Sequence, residues 1–118
     1  ANMDGFAAAL GVISVFALDI FQMPIDLAVI LQIVYLGLVL SIGAAGVKGA
    51  GIVMSAVLFE ALGVPLTLLP VLAAVWPIID IPHTTMNVTG DMVGTAICAE
   101  RNNELDWKKF NASEVSTN

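Results

Sequence analysis

Five polar side chains, Asp80, His83, Thr84, Asn87 and Asp91, stand at spacings i, i+3, i+4, i+7 and i+11. At about 3.6 residues per turn they share one stripe of a helix. Ile81, Met86, Val88, Met92, Val93, Ala96 and Ile97 take the opposite side and are mostly apolar. A helix of this kind faces lipid or packed protein on one side and a polar cavity on the other. Two carboxylates along the stripe, with hydroxyl and amide partners, suit an ammonium group or a metal cation with oxygen ligands. A second polar cluster opens the chain, where Asn2-Met3-Asp4-Gly5 puts an amide, a thioether and a carboxylate directly before an apolar run. An ionised Asp at such an edge is costly unless paired or bound to a cation. The alternative is an N-cap, with Asn or Asp satisfying free backbone N–H groups.

The elements that must position these groups are apolar. Of 118 residues 58% are hydrophobic and 12% charged, and the mean hydropathy is +0.94. Soluble domains carry about 25% charged residues, so a membrane protein is expected. Apolar material runs from Phe6 to Phe21, Ile25 to Leu40, Ile52 to Leu62, Leu66 to Ile79 and Met86 to Ala99. A spanning helix needs about 20 apolar residues, and only the Ile25 to Leu40 run, extended by its neighbours, comes near that. The Met23-Pro24 break, with Asp19 and Asp26 around it, reads as a loop at a membrane surface. Between Ser41 and Gly51 lie four glycines among small residues. In lipid such a stretch cannot be an exposed loop, because unpaired backbone groups cost several kcal/mol each. It fits either the tip of a re-entrant helical hairpin or a small-residue helix-packing motif.

Composition also excludes functions. A net charge of −6 leaves no basic stripe for nucleic acid. One cysteine, Cys98, allows no internal disulfide, and one His beside it gives no metal-site spacing. His83, Asp80 and Ser41 carry no local signature of a nucleophile, base and orienter, so an enzyme is not expected. Asn87-Val88-Thr89 and Asn111-Ala112-Ser113 match the glycosylation pattern, but one sits on the polar stripe and the other in the tail. Arg101, Lys108 and Lys109 follow the last apolar run, and Lys48 alone precedes it. That asymmetry predicts a cytoplasmic, solvated tail over 100–118. The chain begins at Ala1 with no signal-peptide pattern, and its shortness suggests the C-terminal piece of a larger membrane protein.

Three motifs, Asn-Met-Asp-Gly at 2–5, Ser-Ile-Gly-Ala-Ala-Gly-Val at 41–47 and Asn-Val-Thr-Gly-Asp at 87–91, together resemble the dicarboxylate/amino acid:cation symporter family of glutamate transporters, in order and spacing up to Glu100. The resemblance implies an all-α membrane protein and, over 1–99, the C-terminal part of a transport domain. It implies half of an interrupted helix and a span over about 1–40, a re-entrant hairpin over about 41–69 and a last transmembrane helix over about 70–99. It also implies sodium as co-transported ion, no organic cofactor, an amino-acid or dicarboxylate substrate, a plasma-membrane location and a homotrimeric parent.

By the same resemblance, Asn2, Asn87 and Asp91 belong to one sodium site, through backbone carbonyls and the Asp91 carboxylate. Asn2 and Asp4 side chains belong to a deeper one, and carbonyls around Ser41, Ile42 and Ala44 to a third. Such oxygen-rich, helix-end donors suit a hard cation. Asp80 matches the residue that holds a substrate ammonium, with Thr84 and Asn87 beside it; Met3 and the tip backbone at Val47 and Gly51 complete the pocket. Three departures bear on the substrate. His83 stands where acidic-substrate members carry Arg, and a neutral imidazole offers neither a permanent charge nor a bidentate fork. Phe6 replaces a Thr, and Trp76 replaces the carboxylate that supports the Arg. The expectation is a neutral amino acid in preference to aspartate or glutamate, with Asp80 favouring an amine-bearing substrate over a plain dicarboxylate. Protonated His83, with Asp80 one turn away, would instead admit acidic substrates at low pH. Lys48 also departs from the family and reads as reaching water beyond the tip. The competing expectation is a truncated, non-transporting membrane fragment or small interaction protein.

Overall fold

Prolines and glycines set the breaks between helices. The computed structural model describes residues 3–44, 46–47 and 49–112, which leaves Asn2 and Lys48 outside the described residues. Helix α1 (Asp4–Ile20) runs to the Met23-Pro24 break. Pro24 has no N–H to continue a helix, and Asp26 then starts α2 (Leu27–Gly43) by accepting a hydrogen bond from the Val29 N–H at 2.9 Å. A cap of this type contributes about 1 kcal/mol. The chain leaves α2 at Ala44 in an extended conformation and enters α3 (Ala50–Leu62) through Gly49 at φ +86°, a region open to glycine at no steric cost. Gly63, at φ +72°, ends α3. Its N–H donates to Glu60 O at 3.2 Å and that of Val64 to Phe59 O at 2.8 Å, the paired bonds of a Schellman closure. A short 3-10 turn (Leu66–Leu68) leads into α4 (Leu69–Arg101), and a last turn of helix, α5 (Trp107–Phe110), is capped by Asp106.

The glycine-rich segment is therefore non-helical at Ala44, Gly46, Val47 and Gly49 and lies between two helices, not within one packing helix. Its arms are antiparallel and tied at their far ends, where Gln32 Nε2 of α2 donates to Ala61 O of α3 at 2.8 Å. The helical hairpin thus comprises 27–43, the tip and 50–62. Its first arm includes residues that the sequence grouped with a span, because α2 continues unbroken to Gly43.

Helix α1 is the centre of the packing. Its buried residues Phe6, Leu10, Ile13, Ala17 and Leu18 follow helical spacing and meet Leu58 and Phe59 of α3, Ile33 of α2 and Leu72 of α4 in two clusters. Full burial of a side chain such as Phe59 or Leu10 stabilises by about 1.5–3 kcal/mol. Gly5 brings α1 against α4, since a Cβ there would fall on the His83 carbonyl and the Met86 Cβ. Gly5→Ala is accordingly expected to cost about 1–3 kcal/mol by overpacking. A thermal melt of the purified protein measures it, and an unchanged midpoint would show that the crossing is loose.

The reading of the separate apolar runs is corrected; the helix that the resemblance implied over about 70–99 falls within α4. Helix α4 is continuous through Asp80, Pro82 and His83, and the stretch Leu66–Arg101 alone among the described helices is long and apolar enough to cross a membrane. At 1.5 Å per residue its 33 residues extend about 50 Å. The runs Leu66 to Ile79 and Met86 to Ala99 looked separate because polar residues interrupt them, but Asp80, His83 and Thr84 occupy one face, and on the other side the Thr85 hydroxyl is paired with Ile81 O at 2.7 Å. Helix α2, with 17 residues, is the shorter element.

Candidate functional site

The N-terminal turn of α1, the hairpin tip and the polar stripe of α4 enclose a cavity of about 680 Å³. Three helix ends border it: the starts of α1 and α3, through Met3, Phe6, Ala50 and Gly51, and the end of α2, through Ala44. The starts carry partial positive charge, and the end carries carbonyls and partial negative charge. One cavity therefore presents a positive field suited to an anionic group and acceptors suited to a cation.

Asn87 holds the first wall in place. Its Oδ1 accepts from the Gly5 N–H at 2.9 Å and the Phe6 N–H at 3.4 Å, and its Nδ2 donates to Met3 Sδ at 3.3 Å. The residue before α1 is Met3, which makes no side-chain cap. Helix α1 is thus capped by a side chain from α4, and Met3 does not cap it. This corrects the local N-cap reading as far as the described residues go, and it gives Asn87 a positioning role that the helical spacing alone did not reveal. Asn87 is 9% exposed, and a buried amide with partners on two elements rigidifies the contact between them.

Asp80 and His83 form the polar centre. His83 Nε2 lies 3.3 Å from Asp80 Oδ1, its Nδ1 lies 3.1 Å from Ile79 O, and the Thr84 hydroxyl donates to Asp80 Oδ1 at 3.3 Å. Both ring nitrogens face acceptors, so a neutral ring donates to one of them and an imidazolium to both. The Asp80 side chain is 54% exposed and that of His83 is 11% exposed, which leaves the carboxylate open to a ligand and the ring enclosed. His83 also packs on Phe6 and Trp76, with ring centroids 5.6 and 5.8 Å away, and Phe6 and Trp76 stand 6.4 Å apart.

All eight residues expected to contact substrate line this cavity: Met3, Phe6, Val47, Gly51, Asp80, His83, Thr84 and Asn87. Of those expected to bind sodium, Ala44, Asn87 and Asp91 line it as well. Asp4 is exposed in the first turn of α1 and is not part of the lining. Ser41 is buried with its hydroxyl donating to Leu38 O at 2.9 Å, and Ile42 is exposed; both lie in the last turn of α2, whose carbonyls the helix itself cannot pair. Asn2 lies outside the described residues. Lining residues not among the expected contacts are Gly46, Gly49, Ala50, Trp76 and Pro77, and of these Trp76 has the largest side chain. Trp76 stands four residues before Asp80, on the same stripe; the resemblance singled it out as replacing a supporting carboxylate, without placing it in the lining. Asp80 and Asp91 are separated by about 16 Å of helix rise, too far to share one small cation.

Comparison with known proteins gives one family and several relatives. The family model described as "Sodium:dicarboxylate symporter family" matches residues 1–101. The chain is 35% identical over 107 residues to "Neutral amino acid transporter A" of Homo sapiens, covering 91% of the chain and 20% of that protein. It is 34% identical over 116 residues to "Excitatory amino acid transporter 3" of Oryctolagus cuniculus, covering 98% and 21%. It is 32% identical over 96 residues to "Neutral amino acid transporter B(0)" of Homo sapiens, covering 81% and 18%. The chain spans about a fifth of the length of these relatives. No solved structure gives a significant match. The relatives are transporters, not enzymes, and the chain is that of an integral membrane protein.

Proposed function

The chain belongs to the sodium:dicarboxylate symporter family, and we propose that it supplies the substrate and sodium sites of a sodium-coupled symporter for neutral amino acids. In this reading residues 1–99 are the C-terminal part of the transport domain and 100–118 a cytoplasmic tail at the plasma membrane. Asp80 takes the substrate ammonium, with Thr84 and Asn87 beside it, and the tip backbone at Val47 and Gly51, at the start of α3, takes its carboxylate. Sodium ions are cargo. Asp91 with carbonyls near Asn2 and Asn87 holds one, Asn2 and Asp4 part of a second, and the carbonyls of Ser41, Ile42 and Ala44 a third. The hairpin α2–α3 acts as the external gate, closing because substrate and sodium bind the closed state better. The parent assembles as a homotrimer.

The observation that carries the neutral preference is the ring cluster of Phe6, Trp76 and His83. The relatives' names include both neutral and excitatory amino acid transporters, so the choice rests on this wall. A side-chain carboxylate placed against it would lose water without gaining a guanidinium, and a buried unpaired charge is strongly unfavourable.

Uptake by the full-length transporter, with and without a sodium gradient, across alanine, serine, aspartate and succinate tests the proposal. Sodium-driven uptake of alanine or serine is expected, with aspartate at neutral pH slower by about tenfold or more and succinate excluded. Sodium-independent uptake would overturn the coupling; strong aspartate transport at neutral pH would overturn the substrate class.

A further inference from the structure

Trp76 is in contact with both the hairpin arm α3 and the start of α1. Its indole lies against Gly51 in the first turn of α3, so that a Cβ on Gly51 would collide with the six-membered ring at Cζ2. On the cavity side the same ring meets Phe6 and His83 edge-on or nearly so. Trp76 is half-buried and lines the cavity one turn before Asp80.

We propose that Trp76 is a specificity-determining residue: its indole is the end wall that limits the length of the substrate side chain, and by resting on Gly51 it also holds the hairpin arm at the cavity. The proposal rests on the amino-acid transport reading above. With the ammonium at Asp80, a side chain directed toward Phe6 and His83 stops at the ring one turn earlier on α4. A longer side chain has to displace the indole, and the indole cannot move toward α3 because Gly51 is already in contact with it. The absence of a side chain at Gly51 is what lets the ring sit there.

The test is competition for sodium-driven alanine uptake by alanine, valine, leucine and phenylalanine in the full-length transporter. One methylene in an apolar pocket changes discrimination by roughly 10–200-fold. Trp76→Ala is therefore expected to raise the leucine-to-alanine ratio of kcat/KM by about tenfold or more. A purely structural role would depress all substrates alike and leave the ratio unmoved, which overturns the proposal. Gly51→Ala is expected to lower uptake of every substrate about tenfold by pushing ring and arm apart. In the Gly51→Ala/Trp76→Ala double variant that loss is expected to vanish relative to Trp76→Ala alone, since the clash has no partner. Simple multiplication of the two effects would exclude the contact as a clasp. Sodium-dependent uptake with an unchanged ratio removes this inference alone, whereas loss of sodium dependence in the unsubstituted transporter removes the function beneath it.

Discussion

Asp80→Asn in the full-length transporter is expected to weaken amino-acid binding by about 30- to 100-fold while leaving sodium binding in the absence of substrate intact. Hydrogen bonds to a charged group contribute about 1.5–3 kcal/mol, and 1.4 kcal/mol is a factor of ten in affinity. The Asp80 side chain is more than half exposed and, among the described residues, its carboxylate faces His83 Nε2 and accepts from the Thr84 hydroxyl. An ammonium would add a third partner. Asn keeps the shape and can still accept from Thr84, so the fold has no reason to change; what is lost is the charge. Titration of sodium and of alanine by calorimetry separates the two ligands. Unchanged alanine affinity removes Asp80 from the pocket. A parallel loss of sodium affinity would contradict the separation of about 16 Å between Asp80 and Asp91 along α4.

The residues of the site were more legible in the sequence than the elements that carry them. The stripe of Asp80, His83, Thr84, Asn87 and Asp91 follows from spacing alone, and Asp80, His83, Thr84, Asn87 and Asp91 do line one cavity. The glycines at 43, 46, 49 and 51 marked a break without deciding between a hairpin and a packed helix; Gly49 at φ +86° and the bond from Gln32 to Ala61 decide it. Element lengths were poorly legible because local hydropathy counts polar residues against a span even where one helix runs through them, as in α4. Contacts between distant residues were not legible at all. Nothing in the run Asn2-Met3-Asp4-Gly5 says that its helix is capped from residue 87, and nothing around Trp76 says that its ring lies against Gly51. Both depend on how α1 and α3 cross α4, and that is set by packing, with Gly5 and Gly51 as the points where a side chain would prevent it.

The same crossing makes Asn87 the second position of large effect. Asn87→Ala is expected to destabilise the protein by about 2–4 kcal/mol, because the Gly5 and Phe6 N–H groups lose their acceptor in a buried contact and each unsatisfied buried donor costs about 1–3 kcal/mol. The N-terminal turn of α1 would then pull away from α4, moving Met3 and Phe6 out of the cavity wall. Asn87→Asp distinguishes this positioning role from ligand contact. An Asp carboxylate accepts the same two N–H groups and is favoured by the positive end of α1, so stability should return to within about 1 kcal/mol of the unsubstituted protein. It cannot donate to Met3, and it places a third carboxylate on the stripe between Asp80 and Asp91. Substrate selectivity and sodium affinity should therefore remain altered in Asn87→Asp even though the melting temperature recovers. If Asn87→Asp melts as low as Asn87→Ala, the interhelical cap is not what stabilises the site. If instead Asn87→Asp restores both stability and uptake, Asn87 acts through α1 alone and makes no contact of its own with substrate.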